Sequence, residues 1–375
     1  MPLHVGYAPV FQNPGNALSD AQVYEEELRI AEMAEPLGFD SIWAIEHHFT
    51  DYTMCPDPVQ FLSYMAGKTK TAKLGTMVIV LPWHDPIRVA EQVSLLDHVS
   101  DGRMILGVGR GLARVEYEGF RIDQNEGRDR FVEYAELLLN GLENGYIEGG
   151  LATKQPHRDI RPYPKYSFKG RTYAAAVSPE SAPIMAKLGI GLLVIPQKPW
   201  ETVQQDFEIY HSVWKEHHTD APPKPFCGGF FYVNEDAKKA EENANKWIGA
   251  YYHTAMNHYE MGGKGFGKHK GYEFYSNVGE YIEKHGRDGA AQDFVKLMPW
   301  GNPDQLLRKL ENIRDMIDMK GIMCNFSFAG MPYPEAEESM KCFAKHVLPE
   351  LKKWDTSPLP EPKPLSMPAP ASAAA

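Results

Sequence analysis

The feature that most constrains this chain is an alternation of strand-like and helix-like segments that begins at its first residues. Leu3–Val10 reads as a strand, and Ser19 and Asp20 offer an N-cap for a helix with Leu28, Ala31 and Ala34 on one face, which Gly38 ends. Phe39–Phe49 and the apolar run Leu74–Leu81 predict the next strands, each followed by a helix, over Pro58–Lys70 and Pro86–Ser100. Met104–Val108, Arg171–Val177, Gly191–Ile195, Phe226–Val233 and Gly321–Phe328 continue the strands. Helices are predicted over Asn125–Asn144, Pro179–Leu188, Trp200–His217 and Pro334–Val347. Eight β-then-α units are what a closed (β/α)8 barrel needs. An open doubly wound sheet shares the rhythm, because periodicity does not show closure.

At 375 residues the chain fits one such barrel with insertions, since these barrels run from about 200 to over 400 residues. The barrel is assigned to residues 1–350. Within the long stretch after strand seven, which holds the run GGKGFGKHKG, residues from about 257 to 298 are expected to form a mobile lid, as connections of this length are often functional. Residues 351–375, rich in Pro and Ala, predict a flexible tail, extended and unpacked from Pro358 onward.

The net charge of −11 argues against tracking a nucleic-acid backbone. No run approaches the roughly 18 apolar residues of a membrane span, and the N-terminus lacks the pattern of a signal peptide. Four dispersed cysteines without a C-x-x-C pair fit reduced thiols in a cytoplasmic protein.

In a parallel barrel, function gathers at the carboxyl ends of the strands. Strand two ends in Glu46-His47-His48-Phe49. Adjacent strand residues point to opposite sides, and no third ligand with metal spacing stands nearby, so His47 suits proton transfer or hydrogen bonding better than a metal; a structural histidine is the plain alternative. Strand four runs into Gly107-Val108-Gly109-Arg110-Gly111-Leu112. Leu112 stands where a dinucleotide fingerprint needs its third glycine. The glycines would instead admit a flat ring or a phosphate, with Arg110 as the phosphate fork, or simply form a tight turn. Ser178 is a natural N-cap and Pro179 a natural first residue for the helix after strand five, where free N–H groups suit an anion or are merely capped. His211, His217 and His218 read as a solvated face.

These segments resemble the bacterial luciferase-like flavin monooxygenases, and the luciferase α subunit in particular. The resemblance rests on Leu37–Trp43 with Glu46–Thr50, Gly75–Pro82, Pro86–Arg88, Leu95–Asp97, Asp101–Arg103, Gly107–Leu112 and Asp123–Arg128. Lys270–Phe274 and Gly301–Pro303 extend it through the insertion. It implies a (β/α)8 barrel that takes reduced FMN (FMNH2) from a separate flavin reductase, captures O2 as a flavin C4a-peroxide and oxygenates a small apolar or carbonyl-containing substrate. It implies His47 as the catalytic residue and a non-prolyl cis peptide at Met77–Val78 against the flavin. Glu46, Gly109 and Leu112 would adjoin the cofactor, and Arg110, Arg128, Ser178 and Ser181 would hold its phosphate. Lys284 and Arg287 fall at the basic positions of the lid. A homodimer or heterodimer is implied through the helices after strands two and three. Gly109 replaces a reactive cysteine, Val177 an acidic residue near the phosphate, and Glu116 an aspartate, so light emission is not carried over. The small residue at 109 is expected to open space beside the ring. Relatives of this barrel also transfer hydride with deazaflavin F420, and some subunits bind flavin without catalysis.

Overall fold

The computed structural model describes residues 2–175, 179–261, 269–270, 272 and 274–366. Eight parallel strands are β1 (His4–Tyr7), β2 (Ser41–Ala44), β3 (Lys73–Thr76), β4 (Met104–Gly109), β5 (Thr172–Ala175), β6 (Gly191–Val194), β7 (Phe226–Phe230) and β8 (Gly321–Asn325). Each pairs with the next, and β8 pairs with β1 through Gly321↔His4 to Cys324↔Tyr7, which closes the barrel. The open-sheet alternative is thereby removed.

The principal helices are α1 (Asp20–Met33), α2 (Pro58–Lys68), α3 (Pro86–Val99), α4 (Gly127–Asn144), α5 (Ser181–Leu188), α6 (Trp200–His217), α7 (Ala237–His258), α8 (Phe274–Leu297), α9 (Pro303–Ile317) and α10 (Tyr333–His346). Their starts are written in the sequence. Ser19 and Gln22 form a capping box on α1, as Asn302 and Gln305 do on α9. Asp57-Pro58 and Asp85-Pro86 each place a capping carboxylate before a proline preset for the first turn. Helix α9 escaped the reading above, although Leu306, Leu310, Ile313 and Ile317 line one buried face of it. It completes the seventh unit after the long detour through α7 and α8.

The core has two layers. One lies between the sheet and the helices. The other fills the barrel with Trp43, Ile105, Tyr173, Leu193, Phe226 and Met323. Trp43 fits because its neighbours on β1 and β3 are glycines: a Cβ on Gly6 would come within 2.5 Å of the indole, and one on Gly75 within 2.3 Å.

Three expectations need correction. The strand predicted over 39–49 stops at Ala44, and residues 45–48 leave the sheet. Their amides find other acceptors: His47 N–H donates to the Cys55 carbonyl and His48 N–H to Glu116. Gln155–Asp159, where no strand is predicted above, pairs antiparallel with Tyr146–Gly149. The tail from Pro358 to Ser366 is extended but not unpacked. Ser167 N–H donates to the Lys363 carbonyl, Leu365 N–H to that of Lys165, and Leu359 packs against the cluster inside the barrel.

Candidate functional site

At the carboxyl ends of the strands a cavity of about 770 Å³ opens, within the usual size of small-molecule sites. Glu46, His47, Met77, Val78, Gly109, Arg110, Leu112, Arg128 and Ser181 all line it. Val177 and Ser178 lie outside the described residues.

His47 is held from both ring nitrogens. Nδ1 lies 2.9 Å from Glu116 Oε1, and Nε2 lies 3.2 Å from the Tyr259 hydroxyl. Glu116 comes from Arg114–Gly119, a short helix just beyond β4, and its side chain is fully buried. Burial pushes its carboxyl up, but His47 first, and then His258, outweigh this and hold it at about 2. Glu116 is therefore a carboxylate, and His47 Nδ1 is the donor to it.

His258, at the end of α7, completes a compact group. Its Nε2 lies 3.6 Å from Glu116 Oε1, its Nδ1 bonds the Thr50 hydroxyl at 3.0 Å, and its ring stacks on Tyr52. His47, Glu116 and His258 bring ligand atoms within 4.8 Å of one another. Contrary to the expectation from sequence, further potential ligands do stand near His47, because Glu116 and His258 arrive from distant sequence. A proton on His258 Nε2 facing the Glu116 carboxylate accounts for the same contact without an ion.

His48 turns the other way. Its Nε2 meets Glu46 Oε1 at 3.0 Å, beside His84 Nε2 at 2.6 Å from the same oxygen. The second oxygen of Glu46 accepts from Val80 N–H at 2.8 Å. Burial opposes the charge of Glu46, yet its histidine and amide donors hold its carboxyl below the ordinary range. Glu46 thereby braces the segment after the cis peptide, which is at Met77–Val78 as expected.

Gly109 does not open space beside this segment. A Cβ there would meet Val78 Cγ2 at 2.4 Å, so the valine already occupies the volume expected to be free. The Arg110 guanidinium lies 3.8 Å from the centre of the Tyr272 ring, which fixes its plane. Helix α5 begins at Ser181, not at Pro179, and its N-cap Glu180 makes no side-chain hydrogen bond to the first turn. Arg110, Arg128 and Ser181, all on the cavity wall and the last at this helix N-terminus, form a donor set that fits a phosphate-bearing cofactor.

Helices α7 and α8 cover the cavity with Tyr251, Tyr252, Met256, Phe294 and Leu297. Lys284 and Arg287 are exposed on α8, away from the cavity lining, with Arg287 bonded to Asn257. His218 is not part of a solvated face: its Nε2 bonds the Ala186 carbonyl at 2.7 Å. His258 and Tyr259 carry no motif and reach the site only through the fold, and Tyr272, within the Lys270–Phe274 match, had no role assigned from the sequence.

The alkanal monooxygenase alpha chain of Photorhabdus laumondii is 28% identical over 347 residues, spanning 90% of this chain and 95% of that protein. Among solved structures, the monooxygenase RslO1 from Streptomyces bottropensis superposes with a TM-score of 0.72 at 24% identity, covering 93% of this chain and 99% of that one. The oxygenating constituent of 3,6-diketocamphane monooxygenase from Pseudomonas putida, a type II Baeyer–Villiger enzyme in complex with FMN, gives 0.71 at 16% identity over the same shares. The sequence pattern of the luciferase-like monooxygenases matches residues 3–318, and the chain belongs to that family.

Proposed function

We propose that this protein is a flavin-dependent monooxygenase that receives FMNH2 from a separate reductase and uses O2 to oxygenate a small apolar or carbonyl-containing molecule. The observation that carries the reading is the convergence of His47, the cis-linked Met77–Val78 and the cationic pair Arg110 and Arg128 on one cavity. The FMN complex and Baeyer–Villiger activity of the structural neighbour support the same chemistry.

When bound, reduced flavin would supply the electrons that activate O2. Arg110, Arg128 and Ser181, with Ser178, would hold its phosphate, and Tyr272 keeps the Arg110 fork oriented. Met77, Val78, Gly109 and Leu112 would adjoin the ring, braced from behind by Glu46, while Val177 would lie near the phosphate end. His47 would manage the proton at Nε2. Glu116 takes Nδ1–H and so leaves Nε2 as the ring nitrogen that would accept or pass on a proton. The cover formed by α7 and α8, acting as a lid with residues 257–298, would exclude water, on which productive oxygenation depends. Three of the four cysteines are buried and all four are free, which suits the cytoplasm. No helix among the described residues is long and apolar enough to cross a membrane.

Anaerobic titration tests the cofactor. Reduced FMN is expected to bind tightly, and tight F420 binding with weak FMNH2 binding would overturn the reading in favour of hydride transfer. His47→Ala should keep FMNH2 affinity within about 3-fold while turnover falls by about 10²-fold or more. Unchanged turnover would remove His47 from the mechanism, as would a purely flavin-storing subunit.

A further inference from the structure

The group around Glu116 has bonding capacity that proton transfer at His47 leaves unused. Glu116 is a fully buried carboxylate, and its ion-pair partners among the described residues are two histidines. Its Oε2 and the Nε2 of His258 are both buried without a hydrogen-bond partner among those residues. The 3.6 Å from His258 Nε2 to Glu116 Oε1 is too long for a hydrogen bond. Buried polar atoms are seldom left in this state. His47 Nδ1 lies 2.9 Å from the same oxygen, and the three donor atoms all fall within 4.8 Å of one another. Zinc, bound at about 2.0–2.2 Å in a tetrahedron, holds its donor atoms roughly 3.4 Å apart. The two measured separations lie on either side of that value.

The outer partners of both imidazoles match those of metal-bound histidines, which hold the ring by its other nitrogen. His258 Nδ1 lies 3.0 Å from the Thr50 hydroxyl, which can accept Nδ1–H and so leave the lone pair of Nε2 facing Glu116. His47 Nε2 lies 3.2 Å from the Tyr259 hydroxyl. Tyr259 also hydrogen-bonds Tyr52, and its oxygen keeps a lone pair for Nε2–H whichever way that bond runs. Ligation therefore moves one proton within His47. The ring's N–H passes from Nδ1, where Glu116 held it, to Nε2, where Tyr259 accepts it, and the ring stays neutral.

We propose that His47 Nδ1, Glu116 and His258 Nε2 form a site for a divalent transition-metal ion of the zinc type, and that the bound ion takes His47 out of proton transfer. Two imidazole nitrogens and one carboxylate oxygen suit zinc rather than magnesium or calcium, which favour oxygen donors. His47 and Glu116 both line the cavity, which gives the ion a path inward. With Nδ1 on the metal and Nε2 protonated, His47 has no lone pair left to accept a proton, so the ion is an inhibitor. Binding of the ion is independent of the monooxygenase reading, and only its effect on flavin chemistry rests on that reading.

The test uses the full-length, flavin-free protein stripped with EDTA, and Zn2+ as the probe. One equivalent should bind. X-ray absorption of the zinc-loaded wild type should show nitrogen and oxygen donors, two of them imidazoles, and no sulfur, a measurement that needs no variant to fold. Thr50→Val keeps all three ligands and removes the hydroxyl behind His258, and should weaken zinc affinity by about 10-fold. His258→Gln, which removes a ligand, should weaken it further. No stoichiometric zinc, sulfur in the absorption spectrum, or unchanged affinity in either variant would each overturn the site. Reoxidation of FMNH2 by O2 in the zinc-loaded wild type should follow the time course of zinc-free His47→Ala. Zinc that binds without altering the wild-type time course would overturn its role as an inhibitor. Failure of the zinc-free protein to bind FMNH2 would instead remove the monooxygenase reading while zinc binding is still measured, so the two failures are distinguishable.

Discussion

Two buried glutamates show how the surroundings of a single residue decide its charge. Glu116 is fully buried yet remains a carboxylate, because two histidines face it. Its folded pKa of about 2 lies below the unfolded value, so its contribution to stability is present above about pH 4.5 and is lost as pH falls toward 2. Glu116→Gln keeps the shape and removes the charge that orients His47. Turnover should fall by about 10²-fold or more, with FMNH2 affinity nearly unchanged, read by stopped-flow turnover and anaerobic titration. Glu27 has the opposite fate. It lies buried on α1, accepts a hydrogen bond from Ser327 at 2.9 Å and has no salt-bridge partner among the described residues, so burial outweighs its hydrogen bonds and pushes its carboxyl up to about 8. Here the folded value is above the unfolded one, so the stability it supports is full below about pH 4.5 and is lost as pH rises through 8. Glu27→Gln should therefore raise the melting temperature at pH 9 by about 3 °C or more and by much less at pH 5. A gain larger at pH 5 would refute the assignment.

At the scale of elements, the barrel is set by what Trp43 requires of its neighbours. Trp43 pairs directly with Gly75 across β2 and β3, and the indole lies over the glycine where a side chain would otherwise stand. Gly75→Ala should cost about 1–3 kcal/mol, as overpacking of a tight interior does, measured by urea unfolding. Gly67→Ala, on α2 with no atom within 4 Å of the added carbon, is the control and should be neutral or slightly stabilising. The alternation of strands and helices, and caps such as Asp57-Pro58 and Asp85-Pro86, were legible in the sequence because they depend on residues a few positions apart. The strand ends at the mouth were not. Residues 45–48 look like strand, but their amides are claimed by Cys55 and Glu116 through contacts that only the closed barrel creates. Within the site, His47 and Arg110 could be found at strand ends. The partners that define their chemistry could not, since Glu116 lies 69 residues from His47 and Tyr259 lies 212 away. The space expected at Gly109 was misjudged for a related reason: Val78, on a neighbouring segment, fills it.

For the whole molecule, the two ends of the barrel have different tasks. The mouth holds the cavity, while at the opposite end Leu3 N–H donates to the Trp354 carbonyl and Leu359 packs against the inner cluster. The outer helices then decide whether the barrel stands alone. Most of them show polar side chains outward, but α2 and α3, which pack side by side, expose Tyr64 at 41%, Leu95 at 52% and Val99 at 58%. Leu95 and Val99 are four residues apart and so share one helix face. Apolar groups that share one helix face, as Leu95 and Val99 do, mark an association surface more than isolated ones do, and α2 and α3 are the helices through which the family resemblance implies a dimer. A two-fold contact would apply this patch to itself, so every substitution acts twice across the interface. Leu95→Glu combined with Val99→Glu would set like charges against each other in a surface that must lose its water. The wild type is expected to sediment as a dimer and the double variant as a monomer, with the thermal melt of the isolated barrel largely retained. A wild type that sediments as a monomer, or a double variant that remains dimeric, would move the interface elsewhere or remove it.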